Sequence, residues 1–289
     1  MRSVLSIAIL TLVVGCGGPA PDRVASGPPE RVVLFGPNLT QTALRLGHAD
    51  RIAGITDFCP WTVAGEEPPR VGGAIDPDLE AIARLRPDLL VVQGRSEILR
   101  SFAGAQGLRL ADVKMDDDVA SILRGIVTVD SLLTGGSTTR GRALVDTLSM
   151  ALDALGAVDA PRRTVLLVVS RDPDAVRNVL TAGVGTFLDD LLARLGAVNW
   201  ATGRGRGYFD VSLEALVADP PDVVLEIASA GAPEDPSRWR APWIDRLGPE
   251  VRVVRLDRRD ALVPGPGIVR TARAMAVLLH EDRPGGDPR

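Results

Sequence analysis

STTRGRALVDTLSMALDALGAV, residues 137–158, decides how the rest of the chain is read. Within it Leu144, Leu148, Ala151 and Leu155 recur at intervals of four, three and four, with Val145 and Leu152 alongside. That spacing puts one apolar stripe on an α-helix. Thr138 or Thr139 can cap its start, and Ala160-Pro161 ends it. At about 1.5 Å per residue the rod is near 30 Å long, roughly the width of a small domain. A helix of that length separates two halves, and the halves resemble each other.

DLEAIARLRPDLLVV (residues 78–92) and SLEALVADPPDVVLE (residues 212–226) superpose at a constant offset. Leu79 matches Leu213, Glu80 matches Glu214, and Pro87-Asp88 matches Pro221-Asp222. Each copy reads as a short helix, a proline-aspartate break and an aliphatic run suited to a buried strand. A second echo joins ALRLG (43–47) to LARLG (192–196), both helix ends with a glycine stop. The expected fold is α/β: two Rossmann-like lobes with mainly parallel sheets, residues 31–136 and 161–280, joined by one long backbone helix at 137–160. Asn38 and Gln41 form a capping-box pattern at the start of the first helix. Trp239 and Trp243, four apart, read as packing residues of one helix.

A chain of 289 residues can hold two such domains, each with its own core. The net charge of −4 and the lack of any basic block argue against a nucleic-acid partner. At the N-terminus Arg2 precedes an apolar run, residues 4–14, followed by Gly15-Cys16-Gly17-Gly18. The run is shorter than the roughly 20 residues a bilayer span needs and has the layout of a secretory signal, residues 1–15. A cysteine after Val-Val-Gly resembles the bacterial lipoprotein processing site, with Cys16 as the lipidated residue. Residues 16–30, rich in Pro, Gly and Ala, then read as a flexible tether and 281–289 as a disordered tail. The expectation is an extracytoplasmic, lipid-anchored monomer in which Cys59 has no disulfide partner.

Catalytic constellations are scarce. His48 and His280 are the two histidines, neither lies in a motif, and no Cys/His spacing suits zinc. The glycine-rich loop 181–186 lacks the Gly-Lys-Ser/Thr ending of a phosphate cradle and reads as a strand–helix turn capped by Thr186. No enzyme, metal site or bound cofactor is expected. What is present suits recognition. Phe58, Cys59 and Trp61 lie in the long proline-rich loop 57–77, and Tyr208 and Phe209 in GRGRGYFD, residues 203–210, read as a flexible loop. Aromatic residues are 3% of the chain, so their gathering in two loops carries weight, although Phe58 and Phe209 would serve equally as plugs of the lobe cores. In doubly wound folds ligands gather at the carboxyl ends of strands, which would place both loops on a cleft between the lobes.

The pattern PNLTQTALRLG…RIAGITDFCPW…VGGAIDPDLEAIARLRPDLLVV, with VPGPGIVRTARAM near the C-terminus, resembles the cobalamin and iron-siderophore binding proteins of bacterial ABC importers. The likeness covers nearly all of the chain after residue 31, and the Cys-Pro-Trp loop and DVSLEAL look most like the cobalamin branch. The resemblance implies two rigid lobes flanking a backbone helix, with a corrinoid or, alternatively, an iron chelate or haem held between them. It implies that Phe58, Trp61 and Tyr208, with Phe209 adjacent, face the ligand. Cys59 would be either a cobalt ligand or a small buried filler. It further implies that Glu80 and Glu214 dock onto arginines of a two-fold permease dimer. Departures are Ala74, where some cobalamin binders place an aromatic, and Val263, where a basic residue is common. Arg204 and Arg206 suit an anionic ligand, and an enzyme or sensor reusing the fold is the alternative of another class.

Overall fold

A computed structural model describes residues 27–156, 162–228, 234–258 and 260–280. The expected signal segment, Cys16, most of the tether and the tail lie outside the described residues. Two separate sheets form. The first is wholly parallel, in the order β2 (Ile52–Ile55), β1 (Val32–Phe35), β3 (Leu89–Val92), β4 (Arg109–Asp112). Around it lie α1 (Pro37–Arg45), α2 (Leu79–Leu85) and α3 (Glu97–Gln106). The helices α4 (Val119–Thr134) and α5 (Thr139–Asp153) then carry the chain across.

The second sheet runs β10 (Arg252–Leu256), β9 (Val223–Ile227), β5 (Thr164–Ser170), β6 (Val179–Ala182), β8 (Tyr208–Val211), with β7 (Val198–Asn199) on the start of β5. Here β10, β9 and β5 are parallel, whereas β6 and β8 enter antiparallel. Its helices are α6 (Phe187–Arg194), α7 (Leu213–Ala218), α8 (Pro236–Trp239), α9 (Ala241–Leu247) and α10 (Ile268–His280). The fold is thus two α/β lobes with mainly parallel sheets, and every residue of β1, β3 and β9 is buried, as strands covered on both faces require.

The internal repeat is physical. Asp78 accepts from Ala81 N at 2.8 Å to cap α2, and Ser212 accepts from Ala215 N at 3.3 Å to cap α7. The matched Pro-Asp aspartates tie neighbouring strands together. Asp88 accepts from the amides of Glu30 (2.7 Å) and Arg31 (3.2 Å) ahead of β1, and Asp222 accepts from Thr164 N at 2.6 Å at the head of β5.

The connection between lobes differs from the expected single rod. The 15-residue α5 ends at Asp153 rather than continuing to residue 158, and the Thr138 hydroxyl does not cap it. Its stripe is shallow, with Leu148 and Leu152 buried, Leu144, Val145 and Ala151 half-buried, and Met150 exposed. The 16-residue α4 does more of the joining. Its Val119, Ile122, Ile126, Val129 and Leu133 are fully buried, and it packs on α1 of the first lobe, α6 of the second, and α5. Asp190 of α6 accepts from Val119 N at 2.9 Å, satisfying the head of α4 from the other lobe.

Two smaller expectations also change. Asn38 is not the cap of α1, because Pro37 already begins the helix and Gly36, at φ +149°, takes the cap position. Trp239 and Trp243 fall on separate helices, Trp243 fully buried.

His48, without a motif in the sequence, is half of a buried pair. Its Nε2 lies 3.1 Å from Asp130 Oδ1, and Gly141 N donates to Asp130 Oδ2 at 2.7 Å. One fully buried carboxylate therefore pins the end of α1 and the first turn of α5 to α4. Gly141 permits the approach, since a Cβ there would lie 3.0 Å from Val127 Cα. Asp130→Ala strips two buried donors of their acceptor, so urea denaturation is expected to show a loss of about 2–4 kcal/mol.

Candidate functional site

The loop between β2 and α2 is long but not loose. Ile55 N donates to Pro69 O (3.1 Å), Val71 N to Ile55 O (2.9 Å), Asp57 N to Gly72 O (3.1 Å) and Asp78 N to Val71 O (2.9 Å). The Arg70 guanidinium fastens the outer turn, donating to the carbonyls of Thr56 (3.1 Å), Cys59 (3.3 Å) and Asp57, and to the Glu67 carboxylate. Gly72, at φ +79°, turns so tightly that a Cβ would stand 2.6 Å from Asp76 O.

On this stapled frame Phe58 is 82% exposed and Ile75 89% exposed, the two largest exposures among the large apolar side chains. The Asp57–Gly72 hydrogen bond ties their segments to each other. Ile75 escaped the sequence reading because a lone isoleucine belongs to no periodic face. Its signal was the flanking Gly72-Gly73 and Pro77, which mark a turn. Trp61 is half-buried against the core, and its indole N–H is buried without an acceptor among the described residues. Cys59 is 2% exposed, with Sγ 3.0 Å from Thr56 Oγ1 inside the core; its thiol does not reach the surface, and it acts as a filler.

In the second lobe the stretch read as a flexible loop carries an edge strand. Tyr208 pairs with Ala182 and Phe209 with Thr181, and pleating sends the two rings to opposite faces. The Phe209 ring lies flat against the loop glycines, where a Cβ on Gly183 or Gly205 would meet it at 2.6 Å. It is half-buried and belongs to no core cluster among the described residues. Tyr208 faces outward, 45% exposed. Through its pairing with Ala182, next to Thr181 opposite Val168, Tyr208 stands level with the middle of β5.

Loss of solvent pushes the Tyr208 phenol above its ordinary value, and the carboxylate of Asp116, just beyond β4 of the first lobe, adds to the rise. The two lobes face each other there. Arg206 lies two residues before Tyr208 and is likewise exposed. Arg204 is committed elsewhere, stacked 4.1 Å over Trp200 and paired with Asp219.

Glu80 and Glu214 occupy the same place in the repeat, the second residue of α2 and of α7, and both are exposed. The Glu214 carboxyl is held below its ordinary value by its own backbone N–H and by Ser212. Among the described residues no cluster of three or more His, Cys, Asp or Glu could hold a metal ion, and no helix is long and apolar enough to cross a membrane.

The sequence profile of the periplasmic binding protein family matches residues 32–231. An uncharacterized substrate-binding lipoprotein of an ABC transporter from Bacillus subtilis is 22% identical, the match covering 88% of this chain and 81% of that protein. A cobalamin-binding protein from Halobacterium salinarum is 25% identical over 70% of this chain, which spans 55% of that relative's length. Among solved structures, a periplasmic haem-binding protein in complex with two haems superposes with a TM-score of 0.73 at 26% identity, covering 88% of this chain and all of its own.

Two outcomes test the geometry. Tyr208 is the single tyrosine, so tyrosinate absorbance reports it alone. Its midpoint is expected above the usual value of about 10, and Asp116→Asn should lower it only in part, because desolvation is the larger cause. Arg70→Ala should leave the urea midpoint nearly unchanged yet open residues 57–69 to limited proteolysis, since it frees three carbonyls of an exposed loop.

Proposed function

The chain belongs to the periplasmic binding protein family, and on that premise we propose that it is the lipid-anchored, extracytoplasmic receptor of an ABC importer that captures a cobalamin-like corrinoid. The observation that carries this reading is the pair Phe58 and Ile75, held out in water on a hydrogen-bonded loop, with Tyr208 turned outward on the opposite lobe. Large apolar side chains kept exposed by a rigid scaffold await a partner. Rings with two rotatable bonds cover a flat macrocycle at little entropic cost. The ligand lies between the lobes, touching Phe58 and Tyr208, with Trp61 behind Phe58. Cys59 supports the loop from within the first lobe, and Phe209, half-buried, backs the strand of Tyr208.

Arg204 is unavailable to an anionic ligand, which favours a corrinoid over an iron chelate. Arg206 beside Tyr208 and the 26% identity to a periplasmic haem-binding protein favour the second reading, a haem or ferric siderophore. Glu80 and Glu214 meet equivalent basic sites on a two-fold permease, as a pseudo-symmetric binder with matched carboxylates can. Cys16 carries the lipid that holds the chain at the membrane, and the receptor acts as a monomer.

Tryptophan fluorescence titrated with cyanocobalamin, haem and a ferric siderophore tests the reading. Saturable change with cyanocobalamin at micromolar concentration is expected, weakened roughly tenfold by Phe58→Ala or Tyr208→Ala, the scale of losing one well-packed ring. No saturable change with any of the three defeats the receptor assignment, and saturation with haem alone replaces the corrinoid by the second reading.

A further inference from the structure

We propose that the amino-terminal edge of the first lobe's sheet is a membrane-contact face that rests on anionic lipid headgroups and turns Phe58 and Ile75 away from the bilayer. The chain as a whole carries a net charge of −4, so a basic face runs against its composition. The register of the sheet makes one. Val32, Ile52, Leu89 and Arg109, the first residues of β1, β2, β3 and β4, stand side by side at one edge. Arg31 and Arg51 immediately precede β1 and β2. Helices that leave the carboxyl edge and feed the next parallel strand end at the amino edge, which brings Arg45 at the close of α1 and Arg86 just past α2 to the same place. Arg140 joins them, because its Nη1 donates to Leu46 O at 3.0 Å.

Arg31, Arg51 and Arg140 donate to the neutral carbonyls of Leu85, Pro29 and Leu46, so these bonds hold the side chains without cancelling their charge. Arg45, Arg86 and Arg109 form no ion pair among the described residues, and Arg45 and Arg86 are exposed. Three carboxylates share the edge. Asp88 is occupied by the amides of Glu30 and Arg31, while Glu30 and Asp50 are open to water. Arg84 is balanced by Glu80, and Asp130 lies buried beneath, facing His48 and Gly141 N. The arginines outnumber the surface carboxylates, and the edge is positive. At the carboxyl edge the balance is the reverse, with Asp57, Asp76, Asp78, Asp112, Asp116 and Asp117 outnumbering Arg70, Arg95 and Lys114. In the second lobe the amino edge is mixed. Asp219, Asp222 and Glu250 lie there with Arg162, Arg163 and Arg252, and both Arg163 and Arg252 donate to Leu279 O.

An edge of this kind suits a surface of anionic headgroups, which attracts arginines held within about a Debye length. The path of the chain points the same way. Gly27 and Pro28 lie against Gly135 at the close of α4, where a Cβ would stand 2.8 Å from Pro28 N, and the amides of Glu30 and Arg31 are tied to Asp88. The described chain thus starts at the basic edge. Cys16 lies eleven residues before Gly27. At no more than about 3.6 Å per residue, a lipid on Cys16 keeps this edge within roughly 40 Å of the bilayer. That confinement rests on the lipid-anchor reading above, whereas the side presented follows from the charge. A lipid and a basic patch together give the two signals that stable attachment needs.

The test sediments the full chain carrying Cys16→Ser, which removes the lipid attachment, with vesicles of phosphatidylcholine alone or mixed with phosphatidylglycerol. Binding to the mixed vesicles is expected to exceed binding to phosphatidylcholine, and the excess should shrink as salt rises. Arg45→Glu combined with Arg86→Glu should weaken the excess at least about tenfold. Arg109→Glu alone should act in the same direction, and Arg45→Lys with Arg86→Lys should keep the excess. Arg95→Glu, exposed at the carboxyl edge, should leave it unchanged. An unchanged urea midpoint shows that each variant is folded. No excess for the unsubstituted edge, an excess indifferent to the double Glu variant, or an equal loss from Arg95→Glu overturns the assignment. Retention on heparin with no vesicle excess gives the edge to a soluble polyanion and overturns the lipid surface. The cyanocobalamin titration is independent of all these outcomes, so the receptor reading stands or falls separately.

Discussion

A helix that is apolar along most of its length cannot be left on a surface, and α4 is such a helix. Five of its aliphatic side chains are fully buried, and no single lobe covers them. The helix α1 closes on it from the first lobe and α6 from the second, with α5 folded back alongside. Each aliphatic side chain taken fully from water contributes about 1.5–3 kcal/mol, so separating the lobes would expose a face worth more than most domains have to spare. The polar ends of α4 obey the same logic. Asp190 of the second lobe receives the first amide, and Asp130 inside the helix binds elements of the first lobe and of the connection. A wedge held this way limits how far the lobes can move against each other.

That rigidity extends to the recognition loops. A loop of about twenty residues carrying an exposed ring would ordinarily lose much entropy on binding. Here Arg70 consumes three carbonyls, and backbone bonds close the loop at both ends, so much of the ordering is already complete in the unliganded chain. Gly183 and Gly205 do the corresponding service for Tyr208. They leave room for the Phe209 ring to lie against their backbone, while pairing with β6 sets the register and pleating turns its neighbour to the other face.

Much of the fold was legible in the sequence because it rests on periodicity and repetition. The Pro-Asp motifs marked the heads of β3 and β9, and each aspartate proved to tie its strand to the neighbour. What was illegible depended on tertiary partners. The stripe of α5 is the one the sequence reading followed, yet α4 is the more apolar and the more buried helix, because elements of both lobes close on it. His48 carried no local motif because its partner Asp130 lies 82 residues away. Tyr208 and Phe209 were read as loop because glycine and arginine precede them, and only pairing with β6 makes them a strand. At the candidate site Phe58, Tyr208, Glu80 and Glu214 are all at the surface, whereas Cys59 is interior and Phe209 half-buried, a distinction that side-chain chemistry alone does not draw.

Pseudo-symmetry explains why the two lobes agree where they agree. Positions that set the backbone, the caps at Asp78 and Ser212 and the strand ties at Asp88 and Asp222, do one mechanical task in each lobe, so the same solution serves twice. Positions that face outward are released from that requirement, and there the copies diverge. Arg84 stands against Ala218 and Ala83 against Val217, while the carboxylates between cap and turn remain paired. A duplicated framework thus holds two charges in equivalent frames and leaves their surroundings free to differ. Position is thus set by the shared backbone, and the chemistry around each carboxylate by the unshared side chains.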